Sequence, residues 1–326
     1  MKLTVAIPAY NAARTIKATV DSVLRQTLAP EEIIVVDDGS TDETASILSS
    51  YGRAIRVIRQ KNQGNASARN RGYLEARGEL IAWLDADDLW HPTYLEAQTR
   101  SFRTCPELAA SFTAHVDFYG YGEYAWPESP PAELPLSVID PLSFLKRYHT
   151  ETGVFGSPSF MCIPKRVLSG VGDEPFKGGI AADAYLCTWL PLLGPVGYTP
   201  ARLGAYRITQ GSISSDRVKT SGSAVEMFEH MSDYYNERAS GDLLRAFQSA
   251  FVSQRRHHAK RLMGVGLITE ARKQLRTGLF QSGQTDDRAK SFGLLVASYM
   301  PRRMQPCWPS PQRDWRDPII ATPDPT

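Results

Sequence analysis

Cysteine is scarce in this chain, with four residues in 326. Cys105, Cys162, Cys187 and Cys307 lie far apart and match neither a metal-ligand nor a redox spacing. That argues against a disulfide-stapled scaffold and for buried or neutral thiols in a reducing compartment. Excess charge is also missing: 37 Lys and Arg stand against 35 Asp and Glu, a formal +2, so the molecule offers nucleic acid no strong field. No apolar run approaches the length needed to cross a bilayer. Lys2 precedes only a short apolar strand, and Pro8, Asn11 and Arg14 arrive too early for a signal-peptide core. The expected location is therefore cytoplasmic, with any membrane met from that side by the protein surface. Neither GxGxxG nor GxxxxGK[ST] occurs, which excludes the dinucleotide fingerprint and the P-loop. A diphosphate here would have to be held by a divalent ion and side chains.

What is present begins with Leu84-Asp85-Ala86-Asp87-Asp88, three carboxylates directly after the apolar segment from Glu79 to Leu84. Asp85 and Asp87 can turn toward one space, where their repulsion costs free energy unless a hard cation or cationic side chains neutralise it. The alternative is a solvated loop or a helix N-terminus, both of which favour Asp.

The first ninety residues read as repeated strand–helix–strand units. Leu3 to Ile7 is a strand; Ile16, Val20, Val23 and Leu24 follow at helical spacing with Asn11 placed to cap; Ile33 to Val36 is a second strand without a polar residue. Ser40 and Glu43 have capping-box spacing for a short helix ending near Ser50, and Ile55, Val57 and Ile58 supply a third strand. Ala66 to Ala76 is the next helix, Gly78 ends it, and Glu79 to Leu84 is the fourth strand. Strands with no polar face belong to a sheet covered by helices on both sides.

Ligands of such open sheets gather beyond the carboxyl ends of the strands. Polar clusters fall at those ends: Pro8-Ala9-Tyr10-Asn11, Asp37-Asp38-Gly39-Ser40, Lys61 to Asn70, and the aspartate run. Asp38 suits hydrogen bonds from a base or ribose, or the turn before Gly39. Tyr10 can flank a base or close the sheet edge. Arg69, in a helix whose apolar face is mostly alanine, can carry its guanidinium to the rim and bind phosphate, or stay solvated. Lys61 has weaker support.

Together, TVAIPAYNAARTIKATVDSVLRQT, EEIIVVDDGSTDET, KNQGNASARNRG and LDADD resemble the family 2 glycosyltransferases, in order and spacing, over about the first hundred residues. The resemblance implies an α/β protein of GT-A type, a mostly parallel central sheet flanked by helices, here with an α-helical C-terminal extension. It implies an inverting, metal-dependent transfer of sugar from a nucleotide-sugar, by family habit a UDP-sugar, to a hydroxyl of a glycan or lipid-linked acceptor. Bacterial surface polysaccharide or lipid-linked oligosaccharide assembly is the implied setting. By position, Pro8, Tyr10 and Asn11 would open the nucleotide pocket, with Asp38 on the base and Lys61, Arg69, Asp85 and Ala86 around the donor. Asp87, with Asp85 beside it, would ligate Mn²⁺ or Mg²⁺. Asp88 would support the loop or the sugar hydroxyls, and with Trp126, Trp189 and Arg207 would lie toward the acceptor. The family's catalytic base comes from an acidic motif about a hundred residues later, where Gly178 to Leu186 falls, making Asp183 the candidate. A helix cap is the other reading of Asp183.

The chain departs from the family on this acceptor side. The usual Glu-Asp pair reads Ala182-Asp183, the arginine that commonly follows is missing near Trp189, and Tyr206-Arg207-Ile208-Thr209-Gln210 lacks the frequent histidine. A non-catalytic sugar- or nucleotide-binding protein would explain the altered pair. A sugar nucleotidyltransferase would carry a Gly-rich basic loop after the first strand, where this chain has Pro8-Ala9-Tyr10-Asn11.

The aromatic and proline-rich stretch from Tyr119 to Pro141, with Tyr121, Tyr124, Trp126, Pro127, Pro130, Pro131 and Pro135, suits either a platform for an acceptor sugar or a plain surface loop. Gly156 to Phe160 leads into a strand at Met161 to Ile163, and Val171 to Phe176 resembles the turn before the base. The expected organisation is a catalytic domain over 1–215, with donor-binding (1–100) and acceptor-binding (101–215) halves. A helical extension over 216–300 and a Pro- and Arg-rich tail over 301–326 follow, the tail wrapping the body or staying unfolded. In the extension Val225, Phe228, Met231 and Tyr235 share a face, as do Leu243, Leu244, Phe247 and Phe251, and then Leu262, Val265, Ile268 and Leu275. The last helix bears Arg255, Arg256, Lys260, Arg261, Arg272, Lys273 and Arg276, a basic surface suited to the inner membrane face, a phosphate-linked acceptor, or water alone.

Overall fold

Val5, Ala6 and Ile7 lie in strand β1 (Leu3–Ala9), whose seven residues are all buried. In the computed structural model, residues 1–122, 124–126, 134–150, 155, 157–209, 216–281 and 285–300 are described. After β1 come α1 (Ile16–Leu24), β2 (Glu32–Asp37), α2 (Thr44–Ser49), β3 (Arg56–Arg59), α3 (Asn65–Glu75) and β4 (Leu80–Trp83). Then follow β5 (Leu89–Trp90), α4 (Tyr94–Thr104), β6 (Ala110–Tyr119), β7 (Ser137–Ile139), α5 (Pro141–Thr150), β8 (Met161–Pro164) and α6 (Lys165–Val171). The remainder is α7 (Ala182–Trp189), β9 (Val196–Ile208), α8 (Arg217–Arg238), α9 (Gly241–Gly264), α10 (Ile268–Gln281) and α11 (Thr285–Ala297).

The strands form one sheet in the order β3-β2-β1-β4-β8-β6-β9-β5, with β7 also paired to β9. β1, β2, β3, β4, β6 and β9 share one direction, and β5, β7 and β8 run against them. The expected mostly parallel sheet is therefore found. Alternate residues feed opposite cores: Ala6, Ile34, Val36, Ile81 and Trp83 pack with α3, α5 and α7, while Val5, Ile7, Ile33, Val35 and Ala82 pack with α1, α2 and α4. β3 departs from the expectation of double cover. Its burial alternates and Val57 is 42% exposed, as suits an edge strand.

Two expected helix caps are not made. Asn11 takes a left-handed conformation (φ 48°); its N–H donates to Ser40 Oγ (3.0 Å) and its Oδ1 accepts from the Thr41 N–H (2.8 Å). Ser40 is thereby engaged by a neighbouring loop, and α2 starts at Thr44, whose N–H is met by Asp42 Oδ1 at 3.0 Å instead. Local spacing suggested both caps, and partners some thirty residues away took the same groups.

Gly204 of β9, beside the edge strand β5, shows how tightly this side of the sheet is built. A Cβ there would stand 2.1 Å from the Phe160 ring, which itself stacks on His115 at 4.6 Å. Burial holds that imidazole neutral, with its pKa pushed down to about 4. We predict that Gly204→Ala destabilises the protein by about 3 kcal/mol, because neither sheet backbone nor aromatic stack can give way. Chemical denaturation measures this, and a change below about 0.5 kcal/mol would contradict the packing.

The C-terminal helices dock through Val225, Phe228, Met231, Tyr235, Phe247 and Phe251 onto Leu145, Tyr185 and Trp189. The single helix expected across Leu262 to Leu275 is two, because α9 ends at Gly264 and Gly266 (φ 84°) turns the chain into α10. The expected basic surface is also largely spent inside the fold. Arg255, 4% exposed, donates to Glu229, Gln274 and Gln281; Arg256 pairs with Asp287 at 2.8 Å; Arg261 bonds Arg217 O; Arg272 bonds Ser298. Among the described residues no helix is long and apolar enough to cross a membrane. Cys105, Cys162 and Cys187 are free thiols. Cys307 and the tail over 301–326, with Gly156, Gln210 to Ser214, Pro127, Pro130 and Pro131, lie outside the described residues.

Candidate active site

The strand order reverses direction of growth at β1, between β2 and β4, which opens a crevice at the carboxyl ends of these strands. Tyr10 follows β1, Asp38 follows β2, Lys61 lies beyond β3, and the aspartate loop follows β4. Tyr10 is half exposed and Lys61 exposed, while Pro8 is buried within β1.

Asp38 is turned inward. It is 2% exposed, and its carboxylate accepts hydrogen bonds from Gln60 Nε2 (2.8 Å) and the N–H groups of Gln63 (2.9 Å) and Gly64 (2.8 Å). These bonds shape the loop that leads into α3, the structural of the two roles expected for Asp38.

Several elements pin the aspartate loop. The Leu84 N–H bonds Ala6 O, the Asp85 N–H bonds Ser159 Oγ at 3.0 Å, and Thr19 Oγ1 lies 3.0 Å from both Ala86 O and Asp88 O. From β9, the Arg207 N–H donates to Asp88 Oδ1 (2.9 Å) and Arg207 Nε to Asp87 O (2.6 Å), while its two terminal nitrogens bond the carbonyls of Gly120 and Gly122. Arg207 is 2% exposed, so it clasps the back of this loop and does not face an acceptor. Asp88 is likewise a buried anchor at 1% exposure, with Oδ2 unpartnered among the described residues.

Arg69 does reach the rim. Its Nη2 lies 2.7 and 2.8 Å from the two Asp85 oxygens, and its guanidinium sits 5.3 Å from the centre of the Phe176 ring. The adjacent Asn70 exchanges two hydrogen bonds with Phe176, each 2.9 Å, across 106 positions of sequence. That pair ties α3 to the turn that introduces α7, and Asp183 stands in the first turn of α7. Burial raises the Asp183 pKa, Arg69 opposes the shift, and Asp85 adds to it. The donor-side arginine and the candidate base thus share one electrostatic neighbourhood. Asp183 Oδ1 also accepts from the Ala184 N–H at 2.8 Å, but α7 begins at Ala182 with Ala181 at its N-cap, so Asp183 stands inside the first turn and the expected cap is not made.

Trp189 is not brought to this place. It is 1% exposed, packed by Tyr234 at 4.6 Å and Arg238 at 5.2 Å, because the buried stripe of α7 runs through Ala182, Tyr185, Leu186 and Trp189. Trp126 is partly buried edge-on against His91 (5.1 Å) and Tyr124 (4.9 Å). Sequence reasoning missed Thr19, Asn70, Ser159 and Phe176. For Asn70 a signal existed, its place at the end of the Lys61 to Asn70 cluster, and for Phe176 the turn resembling the one before the base; for Thr19 and Ser159 none did.

Asp87 carries the tension of the cluster. Burial and the Asp85 charge push its pKa up to about 6, against the pull of Arg207 and Arg69. Among the described residues no three Asp, Glu, His or Cys side chains are grouped to enclose a metal ion. A divalent ion held by one or two carboxylates, with diphosphate and water completing its shell, is the kind of site these residues fit. A pH signature follows. The folded state binds the Asp87 proton more tightly than the unfolded chain, whose carboxylate titrates near 3.8, so the Asp87 contribution to metal-free stability is present at low pH and is lost as pH rises through about 6, while the buried His115 contributes the opposite slope. Thermal unfolding of the native protein and of Asp87→Asn in chelator tests this: the native protein should lose stability relative to the variant as pH rises from about 4 to about 6, and a constant difference would contradict it.

The sequence profile described as Glycosyl transferase family 2 matches residues 4–170. An uncharacterised glycosyltransferase of Nostoc sp. is 30% identical over 239 residues, a match covering 70% of this chain and 73% of that protein. The chain belongs to glycosyl transferase family 2. It is an enzyme class that moves sugars from nucleotide-sugar donors, and the crevice described above is where this member's fold gathers its polar residues. Other matches are shorter: a Rickettsia typhi glycosyltransferase is 43% identical over 29% of this chain and 30% of its own length. The Pasteurella multocida chondroitin synthase is 35% identical over 41% of this chain and 15% of its own. In fold, the chain is similar to TarS of S. aureus, with TM-score 0.67 at 16% identity over 91% of this chain and 52% of that one. The 1–349 form of TarS gives TM-score 0.63 with 90% of that chain covered. The family profile ends ahead of Asp183, so the candidate base rests on the geometry around Arg69.

Proposed function

We propose that this family 2 enzyme transfers a sugar, with inversion, from a UDP-sugar to a hydroxyl of a glycan or lipid-linked acceptor in cell-surface polysaccharide synthesis. The observation that carries the reading is the buried Arg69, which binds Asp85 of the donor-side loop and lies within electrostatic reach of Asp183 on α7. The 1–349 form of TarS has been solved with UDP and with UDP-GlcNAc, which supports a uridine diphosphate donor here.

In this reading Asp183 accepts the proton of the acceptor hydroxyl as its oxygen attacks the anomeric carbon. The bond to the diphosphate breaks on the opposite face, and its electron pair leaves with the nucleoside diphosphate. Asp87, with Asp85 beside it, would hold Mn²⁺ or Mg²⁺, which when bound offsets the charge growing on the leaving group. Arg69 holds Asp85 in an ion pair at 2.7 Å, and Tyr10 and the loop shaped by Asp38 border the nucleotide. We read residues 1–215 as the catalytic domain and 216–300 as its helical extension. The free thiols suit a cytoplasmic setting with peripheral contact at the inner membrane surface.

A panel of nucleotide-sugars incubated with the protein and Mn²⁺, with release of each nucleoside diphosphate measured, tests the proposal. Release from one UDP-sugar above the others is the expected result. Release from none, with or without an added glycan acceptor, would rule the reading out.

A further inference from the structure

α11 packs Leu294 and Leu295 against the core yet also turns polar groups inward and large apolar ones outward. Its buried positions are Asp287 and Ser291, with Ser298 buried just beyond, while Phe292, Val296 and Tyr299 face outward at 60%, 42% and 55% exposure. At spacings of four and three residues these three form one stripe. α10 bears a second stripe beside it: Thr269, Lys273, Arg276 and Phe280 line an open depression of about 510 Å³. Phe280 is 88% exposed. The two stripes are one face, because Arg276 Nη2 donates to the Tyr299 hydroxyl at 2.7 Å and the Arg272 guanidinium covers the Tyr299 ring at 3.6 Å.

Exposed apolar surface of this density normally has a partner. Its charge selects one. Asp287 is turned inward onto Arg256 and Ser249, and Asp286 is held by Lys290 at 2.6 Å, so Lys273 and Arg276 set the sign of the depression. A second copy packed symmetrically on this face would bring those two cations near their own counterparts. An anionic lipid surface complements them and accepts the aromatic rings at the boundary between headgroups and acyl chains.

We propose that the α10–α11 face is the membrane-docking surface of this enzyme, with Phe280 and Phe292 entering the interfacial layer of an anionic bilayer and Lys273 and Arg276 meeting its phosphates. This gives a place to the membrane contact proposed above, and it moves that contact off the arginines of α9, which are occupied within the fold.

Co-sedimentation of the full chain with vesicles of phosphatidylcholine, and of phosphatidylcholine mixed with phosphatidylglycerol, is the test. Binding to the mixed vesicles alone is expected. Phe280→Ser should weaken it by about tenfold, the pair Lys273→Glu and Arg276→Glu by about tenfold or more, and added salt should weaken it further. Circular dichroism confirms that the variants fold, and donor hydrolysis should be unchanged in them, which separates this proposal from the catalytic one. Absence of binding to mixed vesicles, or undiminished binding by both variants, would overturn the proposal. So would self-association in sedimentation equilibrium that Phe280→Ser abolishes, since the face would then belong to a second copy.

Discussion

Asp183→Asn is expected to lower sugar transfer by about 10²- to 10⁴-fold while nucleoside diphosphate affinity stays within about twofold. The amide keeps the shape of the carboxylate and its oxygen can still accept from the Ala184 N–H, so α7 retains its first turn. What is lost is the capacity to take the acceptor's proton. The raised pKa of Asp183, caused first by burial, makes it a stronger base than a solvated aspartate, and transfer should fall on the acid side as it protonates. Initial rates with donor and acceptor, beside calorimetric titration of UDP, separate the two effects. Undiminished transfer would remove Asp183 from the mechanism and leave it a buried acid in the first turn of α7. If wild-type and variant alike bind nucleotide but transfer nothing, the altered Ala182-Asp183 pair marks a binding protein.

Asp87→Ala should weaken Mn²⁺-supported UDP binding by about 100-fold and remove the dependence of affinity on the metal. The loop should survive this change, because Asp87 is held by its backbone, through Arg207 Nε, while Thr19 and Ser159 secure its neighbours. Stability should move the other way. A carboxylate whose pKa is raised to about 6 by burial and by Asp85 is strained at neutral pH, and removing it should stabilise the metal-free protein by about 1–3 kcal/mol. Gain of stability with loss of binding is the mark of a functional carboxylate in an unfavourable place. A variant that binds UDP and Mn²⁺ as tightly as the native protein would show that the ion is held elsewhere.

Much of the fold could be read from local pattern. The apolar strands, the helices between them and the clusters at their ends are short-range features, and parallel strands buried on both faces leave an unmistakable run of apolar residues. Asp85, Asp87, Arg69 and Asp183 were legible as candidates for the same reason, since each stands in a segment whose order and spacing resemble a known family. Failures came where a group had two possible partners. Asn11 and Ser40 suit helix caps by spacing, yet each meets the other's loop. For Asp38 local pattern allowed a ligand contact or a turn, and the fold supplies three donors from the 60–64 loop. The basic run from Arg255 to Arg276 looks like a charged surface until Glu229, Asp287, Gln274 and Gln281 are seen beside it.

The sequence by itself determined the class of the sheet, the family, and the residue types brought to the crevice, because periodicity and motif order are carried by neighbours in the chain. Only the tertiary structure decided which charges are spent and which remain available. Arg207 became a clasp on the aspartate loop, Trp189 became core, and the outward aromatics of α10 and α11 became the open face. The reason is that neutralisation of a charge and burial of a ring depend on groups a hundred residues away, and no local pattern encodes which of them will arrive.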